Sequence, residues 1–176
     1  MSTAERLHET DTVRILYGTA WKKERSARLT KLALGEGFRG IDTANQPKHY
    51  SESLVGAAVA EFLASGQGSR DDIFLQTKFT HVNGQSATDI PYDPNVPVAQ
   101  QVDQSFNSSL EHLRTTYIDS YVLHGPSVGG PALGPKDWEV WRVMERLKKE
   151  GKVKSLGISN VPPKTLPFPL VAQYYK

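Results

Sequence analysis

The sequence predicts an α/β fold, a parallel sheet whose strands alternate with covering helices. Three observations predict it. Short apolar runs alternate with longer amphipathic stretches in the order βαβαβαβαβ. The short runs are largely apolar, as expected for strands buried on both faces. A polar residue closes each of the later runs, at intervals of about one βα unit plus a loop. An incomplete barrel and an open doubly wound sheet both satisfy this pattern.

Each element has its own signal. Val13-Arg14-Ile15-Leu16-Tyr17 reads as the first strand, stopped by Gly18. A helix is predicted over 26–36, with Leu29, Leu32 and Ala33 as its apolar stripe and Gly37 as its stop. Gly40-Ile41-Asp42 is a very short second strand, followed by a loop over 45–50. Ser51 is the candidate cap of the next helix, whose stripe is Val55, Val59, Phe62 and Leu63 and whose stop is Gly66. A third strand spans 73–78, and a long Pro/Gly/Asn-rich loop runs from His81 to about Pro97. Loops of that length are usually functional or mobile. The third helix carries Val102, Phe106, Leu110 and Leu113, and Tyr121-Val122-Leu123-His124 is the fourth strand. A Gly/Pro-rich loop then leads to a helix starting near Asp137, with Val140, Val143, Met144 and Leu147 on one face. Lys148, Lys149 and Gly151 suit its C-terminal end, and a fifth strand runs over 153–159.

Composition bounds the function. The chain has 176 residues, 38% hydrophobic and 23% charged, which fits one domain over residues 1–176 with a sizeable core. Lys plus Arg number 21 and Asp plus Glu 19, so the net charge of +2 points to neither nucleic acid nor an anionic membrane surface. There is no cysteine, which excludes disulfides, CxxC redox chemistry and thiolate zinc sites. The polar N-terminus lacks the apolar region of a secretory signal, and no apolar run is long enough to span a membrane. A cytoplasmic protein is expected. The five histidines show no ligand spacing, so no structural metal is expected. Asn107-Ser108-Ser109 matches a glycosylation acceptor but lies on a predicted helix, and GPSVGGPALGP lacks the Lys-Ser/Thr of a P-loop.

The informative residues stand at the carboxyl ends of the strands: Asp42, Lys78, His124 and Ser159-Asn160. One polar residue at a strand end is commonly a turn residue. Four in succession, three of them ionisable, would share one bowl in a β/α barrel, where active sites lie. An acid, an amine and an imidazole brought together can transfer protons.

GFRGIDTA (37–44), LQTKF (75–79), YVLHGP (121–126) and LGISN (156–160) resemble the aldo-keto reductases, and the similarity runs from about Val13 to Asn160 in the family's order. The resemblance implies a (β/α)8 TIM-barrel type fold, incomplete here with about five to six units. It implies NADP(H) as cofactor and a small-molecule carbonyl as substrate, an aldehyde or ketone reduced to an alcohol. Carried over by residue, Asp42, Lys78 and His124 match the catalytic Asp, Lys and His, and Tyr50 is the best match for the catalytic Tyr. Tyr50 would protonate the developing alkoxide. Lys78 would lower the phenol's pKa from its usual value near 10. Asp42 would hold the Lys78 ammonium, and His124 would bind the carbonyl oxygen. By the same resemblance Gly18, Thr19, Ala20, Asp42, Ser159, Asn160 and Gln173 would contact the cofactor, with Ser159 and Asn160 on the nicotinamide carboxamide. Trp21 is a candidate wall of the substrate bowl, though a structural Trp fits as well.

The chain departs from the family pattern in three places. The usual Tyr stands five positions after the Asp, where this chain has Pro47, so the loop reaching Tyr50 is longer; His49 is the alternative proton donor. After Asn160, four prolines up to Pro169 leave no room for the family's helix, and Leu170-Val171-Ala172-Gln173 resembles the strand that follows it. The length falls short of the roughly 250 residues of a closed barrel. These departures favour a truncated gene product, a splice form or an incomplete gene sequence, and leave two readings: an NADP-dependent carbonyl reductase, or an inactive family remnant with a regulatory or interaction role. A barrel lyase using Lys78 as a Schiff-base amine is a third.

Overall fold

Burial of the strand residues sets the architecture. Ile41, Leu75, Tyr121 and Leu123 are wholly inaccessible to solvent, as expected for strands covered on both sides. The computed structural model describes residues 15–128 and 133–161. Among these, five strands form one parallel sheet in the order β1-β2-β3-β4-β5. They are β1 (Leu16–Gly18), β2 (Gly40–Asp42), β3 (Phe74–Phe79), β4 (Ile118–Leu123) and β5 (Val153–Ile158). The helices between them are α1 (Ser26–Gly35), α2 (Glu52–Ala64), α3 (Val98–Leu113) and α4 (Pro135–Lys149), and α1 connects β1 to β2. Strands in sequence order, each joined to its neighbour through a helical connection, make an arc of a β/α barrel. They do not make a doubly wound sheet, which requires a reversal of strand order. No helix among the described residues is long and apolar enough to cross a membrane.

The apolar stripe predicted for α1 is corrected. Its buried positions are Ser26, Thr30, Ala33 and Leu34, while Leu32 is 53% exposed. The buried Ser26 hydroxyl donates to the Lys23 carbonyl at 2.7 Å and is satisfied locally. A count of large apolar residues alone therefore chose a face turned too far round the helix.

The predicted Ser51 cap is also corrected. Ser51 occupies the N-cap position of α2, but its hydroxyl bonds no helix N–H. Glu52 lies in the first turn, where its charge suits the positive end of the helix. The Glu52 carboxylate accepts hydrogen bonds from Thr77 Oγ1 at 2.5 Å and Ser109 Oγ at 3.1 Å, and His112 Nδ1 lies 3.3 Å away. One buried acid thus ties the start of α2 to β3 and α3.

α4 begins two residues before the expected start. Pro135 takes its first turn, and the Asp137 carboxylate accepts the Gly134 N–H at 2.7 Å. Gly66 and Gly151 end α2 and α4 with positive φ of 74° each, the conformation a side chain resists.

The long loop after β3 is ordered against the sheet. Tyr92 is buried, stacks on Phe79 with ring centroids 5.6 Å apart, and donates its hydroxyl to the Thr80 carbonyl at 2.7 Å. At the opposite end of the sheet, Asp119 accepts from Arg70 Nη2 at 2.7 Å and the Leu75 N–H at 3.0 Å, and pairs with Lys154 Nζ at 3.0 Å. This places the β3–α3 loop at the carboxyl end of the sheet, where the strand-end residues gather.

Candidate active site

Parallel register brings the polar strand ends to one edge. Asp42 lies opposite Gln76, and Lys78 follows on the same side of β3 two residues later. Lys78 Nζ donates to Asp42 Oδ1 at 2.5 Å and to the Thr43 carbonyl at 2.8 Å, with only 6% of the residue exposed. Gln76 Nε2 donates to the same Asp42 oxygen at 2.7 Å, and the Ser120 hydroxyl donates to Gln76 Oε1 at 2.8 Å. The expected Asp–Lys pair is present, with Gln76 and Ser120 behind it. Sequence reading missed both, although Gln76 lies two residues before Lys78 and so shares its face.

Tyr50 reaches the pair through a turn the longer loop makes possible. The N–H groups of His49 and Tyr50 both donate to the Gln46 carbonyl at 3.0 Å. The Gln46 side chain fixes the loop further, donating to the Gly84 carbonyl at 2.7 Å and meeting His49 Nδ1 at 2.8 Å. Tyr50 is thereby delivered with its ring 5.0 Å from Lys78 Nζ and 5.8 Å from the His124 ring. His49 instead packs against Trp21, with ring centroids 3.8 Å apart and planes tilted by 37°.

The expected effect of Lys78 on the phenol is corrected. Burial and the Asp42 carboxylate push the Tyr50 pKa above its ordinary value. The ammonium lies over the ring face, bonded to Asp42 and Thr43, and the acid beside it offsets its pull. Burial also lowers the Lys78 pKa, against the opposing pull of Asp42. A phenol with a raised pKa keeps its proton at neutral pH, which suits a donor.

His124 sits at the end of β4 with its N–H on the Phe79 carbonyl at 2.9 Å. Burial first, and then the Lys78 charge, push its pKa down to about 4. The ring is therefore neutral at physiological pH. Since the unfolded histidine titrates near 6.5, acidification protonates the unfolded chain first. Fold stability contributed by neutral His124 is complete above about 6.5 and is lost as pH falls toward about 4. His124→Asn is expected to flatten the pH dependence of urea unfolding across that window. His112, raised by its bond to Glu52, opposes the trend in both proteins and cancels in the difference.

The remaining sequence-predicted residues take definite places. Thr19 is buried, and both its N–H and its hydroxyl bond the Asp42 carbonyl, at 3.0 and 2.9 Å. Gly18 and Ala20 flank it at the end of β1, and space for a side chain lies open above Gly18. Ser159 Oγ and Asn160 Nδ2 donate to the His124 carbonyl at 2.7 and 2.6 Å, so the two residues after β5 lock the backbone of His124. Asn160 has a positive φ of 57°. Trp21, 63% exposed, adjoins the bowl through its backbone bond to the His49 carbonyl at 2.7 Å. Gln173 lies outside the described residues. No group of metal-ligating residues occurs among the described residues.

Comparison with known proteins identifies the family. The sequence model described as "Aldo/keto reductase family" matches residues 12–167. Human aldo-keto reductase family 1 member C4 is 33% identical over 152 residues, taking in 78% of this chain and 42% of that protein. The uncharacterized oxidoreductase YtbE of Bacillus subtilis is 32% identical over 130 residues, 74% of this chain and 39% of that one. This chain thus spans about two fifths of the length of these relatives. Among solved structures, an aldo/keto reductase from Brucella melitensis superposes with a TM-score of 0.63 at 32% identity, covering 84% of this chain and 49% of that one. A Bombyx mori aldo-keto reductase, solved in complex with NADP, gives 0.69 at 26% identity, covering 92% and 51%. A match over so much of the sequence, at these identities and on the same arc of barrel, makes this chain a member of the aldo/keto reductase family.

Proposed function

We propose that the chain carries the catalytic end of an NADP-dependent oxidoreductase that reduces an aldehyde or ketone to an alcohol. One observation carries the reading: Asp42, Lys78, Tyr50 and His124, from three strands and a loop, meet at the carboxyl end of one sheet. The nicotinamide end of the cofactor fits the residues present. Space is open above Gly18, and Asn160 commits its amide nitrogen to the His124 carbonyl, which leaves its amide oxygen to accept from a carboxamide. Thr19, Ala20, Ser159 and Asp42 would complete that wall, with Gln173 as a further contact. When bound, the reduced nicotinamide supplies hydride to the carbonyl carbon.

The protein's part is to hold the oxygen and supply the proton. Neutral His124 orients the carbonyl oxygen, and Tyr50, protonated at neutral pH, donates to it as negative charge develops. Lys78 lies over the Tyr50 ring and, paired with Asp42, holds the phenol at this end of the sheet. Asp42 fixes Lys78 in place, helped by Gln76. Tyr50 is preferred over His49 as donor because Tyr50 stands beside Lys78 and His124, whereas the His49 ring is engaged by Trp21 and Gln46. Trp21 lines the bowl as a flat apolar wall.

The reading is tested by thermal unfolding with and without NADPH, followed by NADPH oxidation with a generic aldehyde. Ligand at a hundred times its Kd contributes about 2.7 kcal/mol. In a chain of this size that is expected to raise the midpoint by about 5–10 °C. An unmoved midpoint together with no aldehyde-dependent oxidation overturns the proposal and leaves the family fold without the activity.

A further inference from the structure

Lys78 and Thr80 alternate on β3 and its extension, so both side chains face the same side. Lys78 serves Asp42. Thr80, almost fully buried, places its hydroxyl oxygen 2.8 Å from His124 Nδ1. We propose that Thr80 is a positioning residue: its hydroxyl donates to His124 Nδ1 and so holds the imidazole as the Nε2–H tautomer, with that N–H free to meet a carbonyl oxygen.

Hydrogen-bond accounting gives the direction of the bond. The described residues offer the Thr80 hydroxyl no second partner. If His124 Nδ1 were the donor, the buried hydroxyl proton would have no acceptor, which is the costlier arrangement. With Thr80 donating, the buried hydroxyl and the Nδ1 acceptor are both satisfied, and the ring's remaining proton must sit on Nε2. The charged and titratable groups facing the ring are Lys78, Asp42 and His49, with the Tyr50 ring edge-on beside them. Lys78 favours the neutral imidazole on which this tautomer choice depends.

Thr80 itself is held on several sides. Its carbonyl accepts the Tyr92 hydroxyl at 2.7 Å and Gln85 Nε2 at 3.3 Å. Its methyl group presses on Gly84, where an added Cβ would lie only 2.7 Å away. Gln46 clamps the Gly84 carbonyl from the Tyr50 loop. The β3–α3 loop thus sets the Thr80 rotamer, and Thr80 sets the imidazole. The same clamp joins that loop to the turn presenting Tyr50.

The catalytic consequence rests on the proposed carbonyl reduction, but the tautomer does not, and the experiment separates them. The full chain is labelled with 15N-histidine, and long-range 1H–15N correlation is recorded near neutral pH, with His124→Asn assigning the resonance. The expected wild-type pattern is Nε2–H; an Nδ1–H pattern overturns the proposal without any variant. Thr80→Val keeps the shape and removes the donor, and is expected to give a mixture of tautomers, while Thr80→Ser restores Nε2–H. An unchanged pattern in Thr80→Val overturns it equally. In turnover, Thr80→Val is expected to lower kcat/KM about tenfold, the worth of one neutral hydrogen bond, with recovery in Thr80→Ser. A chain without any turnover would count against the carbonyl reductase reading, and the tautomer would still be decided by the spectra.

Discussion

Tyr50→Phe is expected to cut the rate of NADPH-dependent aldehyde reduction by about 10²–10⁴-fold, the usual worth of a positioned proton donor. It is expected to leave the melting temperature unchanged. The second expectation makes the first decisive. The Tyr50 hydroxyl makes no hydrogen bond to the described residues, and the contacts to Lys78 and His124 run through the ring, which phenylalanine retains. Loss of activity therefore reports the missing proton, not a damaged fold. Lys78→Met is expected to lose as much rate but to behave differently in unfolding. It leaves the Asp42 carboxylate without its cation, and breaking a buried pair commonly costs about 3–5 kcal/mol. Gln76 keeps one bond to the orphaned oxygen, which moves the expected loss toward the lower end of that range. Combining Lys78→Met with Asp42→Asn removes the uncompensated charge and is expected to recover stability without recovering rate. Urea unfolding and single-turnover kinetics on the four proteins check this. A Tyr50→Phe chain as fast as wild type would remove Tyr50 as donor and return attention to His49.

The legible parts of the site were those in which a strand ended on a polar residue. Asp42, Lys78 and His124 stand out because each closes a short strand-like run at a similar spacing, and a parallel sheet must bring such ends together. Tyr50 was legible only through resemblance, because a loop carries no period; its placement depends on the Gln46 carbonyl accepting two successive N–H groups. The direction of the Tyr50 pKa shift is not legible in the sequence, because it is set first by burial of the phenol and then by the Asp42 carboxylate beside it. Thr80 was invisible because a threonine after a strand is ordinarily a turn residue, and its partner lies 44 positions away. For the fold, the order of elements was readable from alternation, since five parallel strands need a connection between each pair. The face of α1 was not, because Ser26 and Thr30 are buried there beside Ala33 and Leu34, and a count of large apolar residues passes over them.

Close approach governs the contact between α2 and α3. Gly56→Ala is expected to lower stability by about 3 kcal/mol or more, beyond the usual range for one added methyl in a core. A Cβ on Gly56 would fall 2.0 Å from the His112 carbonyl oxygen, 2.7 Å from Leu113 Cα and 2.9 Å from the His112 carbonyl carbon. All three are backbone atoms, so no rotamer change relieves the overlap and α2 must move away from α3 as a body. That movement would strain the buried Glu52 cluster with Thr77, Ser109 and His112, and it would open the contacts of Val55 and Val59 in the core. The melting temperature is expected to fall by about 6–12 °C. Gly35→Ala is the matched control. It adds the same methyl near the end of α1, where no atom lies within 4 Å of the new Cβ and φ is not positive. Alanine there restricts the unfolded chain without a clash and is expected to be neutral or stabilising by up to about 1 kcal/mol. Because Tyr50 stands only two residues before α2, Gly56→Ala is also expected to reduce turnover in the chain that remains folded, whereas Gly35→Ala leaves it unchanged. Equal stability of the two variants would mean that α2 and α3 are not in backbone contact, and that Gly56 is not what lets α2 seat Tyr50 beside Lys78.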